Sequence, residues 1–231
     1  MRNALRKIFS FLSIKTRPQH KRKPRKSKGQ SMVEFALMLP ILLMLFSGMV
    51  EFGFMLNTYL SLLDSTRQAA RLCSNGNPFQ LNTSTNTLED DPNFPIYCAQ
   101  AVVTNLDPSL ATPPDPKARR IELNTDLDDV VISVLSITVK ANAITNIQRF
   151  KDGSLFYNLY GNKDSGYTDA DITAYMTQNG TLPVQTGILI VEVYYGYKGV
   201  LKLPWVEAFM SDTNPVSLHA STIMPLVAAQ P

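Results

Sequence analysis

Residues 29–73 read "GQSMVEFALMLPILLMLFSGMVEFGFMLNTYLSLLDSTRQAARLC", and this stretch decides the fold. From Phe35 to Val50 it carries no charge, and "EFGFML" extends the apolar run to Leu56. Read through Glu51, positions 35–56 span about 33 Å at the helical rise per residue, enough to cross bilayer hydrocarbon. Stopping before Glu51 leaves about 24 Å, which is short. Glu51 is therefore expected near the outer boundary, where an acid is cheap, and Pro40 near the start is compatible with a membrane helix. Beyond the run, apolar residues recur at Leu56, Tyr59, Leu60, Leu63, Ala70 and Cys73, with Asp64, Arg67, Gln68 and Arg71 elsewhere around the axis. That spacing continues the helix as an amphipathic one, so a single rod is expected to end at "SNGNP", residues 74–78.

Charge is distributed unevenly around this rod. Residues 1–28 hold eleven Lys and Arg and no acid, whereas the rest of the chain holds eleven bases against all nineteen acids. A cluster of bases beside an apolar span keeps that side in the cytoplasm. The expected topology is a single pass through the inner (cytoplasmic) membrane, amino end inside and body outside. The organisation follows as a basic leader over 1–29, a transmembrane and amphipathic helix over 30–73, and an extracytoplasmic domain over 74–231.

The body reads as a small strand-rich α+β domain. "VVISVLSITVKA" and "GILIVEVYYGYKG" are β-branched and aromatic runs typical of strands, and "LHASTIMPLV" is a further strand candidate. "IYCAQAVVTNL" is a plausible short helix. "TDADITAYMTQNG" is another, with Thr168 or Asp169 at its start and Gly180 after its end. "SNGNPFQLNTSTNTLEDDPNFP" is expected to be polar loop, and "DPSLATPPDPKARR" a proline-rich connector. The two cysteines, Cys73 and Cys98, are too few for a disulfide scaffold. They form one bridge if the body lies in an oxidising space, or stand as two unrelated buried thiols.

Enzymatic chemistry finds little support. The two histidines are His20 and His219, and a Ser–His–Asp arrangement would have to use His219 without any G-x-S-x-G before it. Zinc lacks ligands, and "NKDSGYTDAD" (162–171) misses the spacing of a calcium loop. No catalytic residue, cofactor or metal is expected. The basic leader lacks the aromatic interleaving of a nucleic-acid surface, so no nucleic-acid partner is expected either.

The start of the rod carries the functional signal. A basic leader before an apolar run is the layout of a secretory signal, yet here the small residue, Gly29, precedes the run. With Gly29 last in the leader, Gln30 opens the mature chain and Glu34 is its fifth residue. Gly before the cut and Glu five residues on is similar to the prepilin-type signal, and the wider string resembles the TadE-like family of pseudopilins from tight-adherence (Flp, type IVc) pilus systems. The features that carry the resemblance are the Gly–x4–Glu-Phe-Ala start, Pro40 six residues after Glu34, "EFG" at 51–53 and "QAAR" at 68–71. The resemblance implies cleavage between Gly29 and Gln30 by a prepilin peptidase. It implies as partners other pilin and pseudopilin subunits, the pilus assembly machinery and membrane lipid. It also gives Glu34 a role, because a carboxylate in hydrocarbon costs about 2.5–3.5 kcal/mol unless partnered. The α-amine of a mature Gln30, its own or a neighbouring subunit's, is the partner implied. The alternative reading is an unprocessed single-pass protein whose exported body binds a ligand.

Overall fold

A computed structural model describes residues 28–115, 117, 120–149, 156–178 and 183–229, so the leader before Lys28 lies outside the described residues, as does Gly180. The chain divides into two compact units, residues 1–43 and 44–231. Helix α1 (Lys28–Cys73), 46 residues long with Pro40 inside it, contributes to both. In the first unit every described residue from 29 to 43 is exposed. Among the described residues, α1 is the one helix long and apolar enough to cross a membrane.

The second unit is an antiparallel sheet with helices on its faces. Its strands are β3 (Asp129–Lys140), β4 (Ala143–Arg149), β5 (Tyr157–Asn158), β6 (Thr186–Tyr197) and β7 (Val216–Pro225). They lie in the order β4-β3-β6-β7, with β5 also paired to β3. Central strands β3 and β6 are the two β-branched runs of the sequence, buried along most of their length. Such runs suit a sheet covered on both sides. Val130, Ile132 and Val134 of β3 and Leu189, Val191 and Val193 of β6 pack against α1 and α2 (Asn93–Leu106). Leu135, Ile137, Ile188 and Ile190 pack on the opposite side around Ile172 of α3 (Asp169–Met176). Thr168 caps α3 in a reciprocal box with Asp171, the cap the sequence predicts at Thr168 or Asp169.

Two elements differ from the expectation, and β4 adds to it. The segment after Cys73 is not all loop: β1 (Phe79–Asn82) and β2 (Thr87–Asp90) form a hairpin. The Asn82 carboxamide accepts from Ser84 N–H at 2.9 Å, and Asn86 takes a left-handed φ of 54° to close the turn. β4 joins β3 through Ala141 and Asn142, both left-handed at φ 52° and 64°, the geometry of a two-residue hairpin turn. The face of α1 turned to the sheet also differs. Leu56 and Leu60 are exposed, whereas Thr58, Leu62, Ser65, Thr66, Ala69, Ala70 and Cys73 are buried. Close packing selects this face, because small and hydroxyl side chains let the helix approach. Ser65 Oγ donates to the Val102 carbonyl at 2.9 Å, and the Thr66 and Thr222 hydroxyls pair at 2.9 Å.

At the end of α1, Cys73 is joined to Cys98 of α2 with their Cα atoms 6.0 Å apart. A link closing a loop of this length stabilises by about 3 kcal/mol in the chain-entropy picture. Purified native protein should therefore resist alkylation at both thiols without reductant, and Cys98→Ser should lower the unfolding midpoint; free thiols in the native protein would remove the link.

Candidate functional site

Two acids on α1 have opposite surroundings. Glu34 is exposed, and the Gln30 side-chain amide donates to its Oε1 at 3.0 Å, one turn away. Gly29 and Gln30, the predicted cleavage pair, occupy the first turn of the helix as described. Among the described residues, a Cβ built on Gly29 meets no atom within 4 Å.

Glu51 is not the freely solvated boundary acid that the apolar run suggests. It is 2% exposed. Its Oε1 accepts from the Tyr197 hydroxyl at 2.7 Å and from Val200 N–H at 2.7 Å, and its Oε2 accepts from Leu201 N–H at 2.9 Å. The donors come from the last residue of β6 and the chain that follows it. There Gly199 runs so close to Met210 that a Cβ would lie 3.0 Å from the Met210 carbonyl oxygen. The tight path delivers two consecutive N–H groups to one carboxylate. Lys202 then turns left-handed, and Pro204 opens the short helix α4 (Pro204–Glu207). Trp205 of α4 donates from Nε1 to Ser47 Oγ at 2.8 Å, one turn before Glu51 on α1. The acid and the hydroxyl together fasten loop 198–210 to the helix.

The sheet domain uses its other buried acids in the same way. Asp129 accepts from the N–H groups of Tyr160, Asn162 and Lys163, at 2.9, 2.7 and 3.0 Å. Asp128 accepts from Asn124 and Gly196, each at 2.7 Å. Glu192, fully buried on β6, takes Ser165 Oγ at 2.6 Å, Gly166 N–H at 2.9 Å and His219 Nε2 at 3.1 Å. Tyr194 stacks on His219 with ring centres 4.4 Å apart, and its hydroxyl donates to Glu192. Burial, and then the Glu192 charge, pushes that hydroxyl well above the ordinary tyrosine range, so it remains a donor. Ser165 gives its proton to the carboxylate, whereas in a nucleophile–base pair the hydroxyl faces the imidazole. In "NKDSGYTDAD", Asp169 pairs with Arg149 at 3.0 Å and Asp171 completes the Thr168 capping box of α3. Among the described residues, no three His, Cys, Asp or Glu side chains gather to hold a metal ion.

Removing the Glu51 carboxylate strands three donors, each costing about 1–3 kcal/mol when buried without a partner. Glu51→Ala should lower the stability of the detergent-solubilised chain by about 3 kcal/mol or more. Glu51→Gln should fall between that and the parent, and Tyr197→Phe should cost about 1 kcal/mol, the value of one hydrogen bond. Thermal unfolding followed by circular dichroism, with limited proteolysis in loop 198–210, reads the order. Equal stability of Glu51→Ala and the parent would show that the clamp contributes nothing.

No curated protein and no solved structure matches the chain. Residues 29–71 match the model of the TadE-like protein family, and the match coincides with α1 almost from end to end.

Proposed function

We propose that this chain is a minor pilin-like structural component, a pseudopilin, needed for assembly of a tight-adherence (Flp, type IVc) pilus. The observation that carries the reading is the coincidence of the TadE-like match with one long helix that is exposed and uncharged from Phe35 to Phe46. In this reading a prepilin peptidase cuts between Gly29 and Gln30, and the basic leader stays on the cytoplasmic side. The helix holds the chain in the inner membrane until pilin or pseudopilin subunits and the assembly machinery take it up. Its role is structural, with no reaction to catalyse and no cofactor to hold.

Glu34 is the assembly residue of this proposal. The Gln30 side chain already reaches Glu34 across one helical turn, so a new α-amine at Gln30 would lie in the same neighbourhood. In hydrocarbon an unpaired carboxylate is costly, and docking that brings it a neighbour's amine is favoured by the charge each partner loses. Glu51 is engaged by its own body and has no such part.

The unprocessed binding-protein alternative has one observation in its favour. A cleft of about 470 Å3 beside the β1–β2 hairpin has Glu89, Asp90 and Asp91 at its rim and Phe94, Ile132 and Tyr157 in its wall. The amino terminus separates the two readings. Intact mass of the chain extracted from membranes with an active prepilin peptidase should begin at Gln30; full-length chain alone would favour the alternative. In the same cells Glu34→Ala and Glu34→Gln should insert normally yet yield far fewer surface pili, because both lose the charge. Asp64→Ala, which removes an exposed acid hydrogen-bonded to Gln68 one turn on, should assemble like the parent. Normal pilus yield from properly processed Glu34→Ala would reduce Glu34 to an acid at the membrane boundary.

A further inference from the structure

Loop 198–210 does more than receive the Glu51 clamp, because beside the exposed charges of Lys202 and Glu207 it presents large apolar side chains to the outside. Phe209 is 73% and Val200 56% exposed, and the adjoining turns of α1 expose Leu45, Phe46, Met49 and Phe52. Between helix and loop lies a recess of about 340 Å3. Apart from Glu51 it is lined by Met44, Gly48, Trp205, Val206, Phe209 and Met210, with no other polar side chain. A soluble surface rarely leaves such an apolar patch uncovered.

The height of this patch along α1 is informative. Hydrocarbon takes about 20 helical residues. Counted from Phe35, just after Glu34, such a length ends close to Phe54, and counted from Gln30 it ends near Met49. Both counts place the far boundary within the turns that carry Ser47, Glu51 and Phe52. Trp205 is hydrogen-bonded to one of those turns. Tryptophan with one apolar side and one satisfied N–H is the side chain enriched at the boundary between headgroups and acyl chains.

We propose that loop 198–210 and the α1 turns from Met44 to Phe54 form a lipid-contacting foot. It seats the body on the outer leaflet, with Trp205 and Phe209 at the headgroup–acyl boundary and acyl chains filling the recess. The proposal rests on α1 being the membrane anchor. Lipid is favoured over a protein occupant by the hydrogen bonding. The Trp205 N–H goes to Ser47 and the Glu51 oxygens go to Tyr197, Val200 and Leu201, so the foot's buried polar groups are answered from within. Specific protein interfaces are held in register by direct hydrogen bonds, whereas acyl chains need none. The foot also explains why a half-buried Trp205, in a helix of only four residues, is followed four positions on by an exposed Phe209.

Trp205 is the sole tryptophan, so its emission reports on the foot without labelling. The full chain would be reconstituted in vesicles of phosphatidylethanolamine and phosphatidylglycerol, with bromines placed high or low on the acyl chains. High bromines should remove about half of the emission, low bromines clearly less, and aqueous iodide little, as for an interfacial indole. Phe209→Asp, at a position exposed enough to spare the fold, should weaken lipid quenching and shift emission to the red. Quenching by iodide but by no bromolipid would place Trp205 in water and overturn the proposal. Insensitivity to both, with emission that depends on the protein-to-lipid ratio, would mean a second copy covers the foot, and would overturn it equally. Carbonate extraction separates the causes: a chain that stays in the membrane with an unquenched Trp205 sinks the foot alone, whereas a chain released from it sinks the anchor as well.

Discussion

The interaction on which the rest of the structure depends is the carboxylate of Glu51 gripping the chain that leaves β6. A buried acid without a cation is tolerable only when several donors converge on it, and Glu51 has three within 2.9 Å. These bonds fix one helix turn against the end of the central strand. Below that point, Ser65 and Thr66 bond α1 to α2 and β7, and Cys73 closes the contact covalently. The helix is therefore fastened to the rest of the body near both ends of its Ser47–Cys73 stretch. The acid also marks where an apolar rod becomes the spine of a folded body.

The buried acids explain a property that composition presents as simple surface charge. Residues 29–231 carry nineteen acids, and an acidic body reads as a solvated one. Yet Asp128, Asp129 and Glu192, like Glu51, are almost fully buried. Each accepts from at least one backbone N–H of an irregular segment. Irregular chain cannot satisfy its own amides as a helix or ladder does, and a carboxylate offers up to four lone-pair sites for them. The body thus orders the loop after β5 and the loop after β6 by acids planted on regular elements beside them.

This arrangement also sets how much of the molecule was legible in its sequence. The long helix, the three principal strands and the Thr168 cap are local patterns, written in apolar runs and capping residues within a few positions. The β1–β2 hairpin was hidden because its alternation is weak and its closing residue, Asn86, looks like ordinary loop. The inward face of α1 was misread for a different reason. Counting apolar residues selects Leu56 and Leu60, but close approach to a sheet rewards Thr58, Ser65 and Ala69, and leaves the leucines outside. The partners of Glu51 are not legible at all, because Tyr197, its hydroxyl donor, lies 146 positions away. An acid at the end of an oily run looks the same whether it faces water or three donors.

The difference between Glu34 and Glu51 has a consequence for assembly. A carboxylate already saturated by its own chain gains little from an incoming cation, since the new contact must displace donors that are held in place. Glu51 is in that state, so an arriving subunit would have to break the body's clamp to use it. Glu34 is exposed and accepts from an amide in its own turn, a partner that a charged amine can outcompete. If subunit packing in the membrane is driven by pairing an acid with an amine, the work falls to Glu34. The division of labour follows from hydrogen-bond capacity alone: the acid inside the body fixes the chain to itself, and the acid near its start has room for another chain.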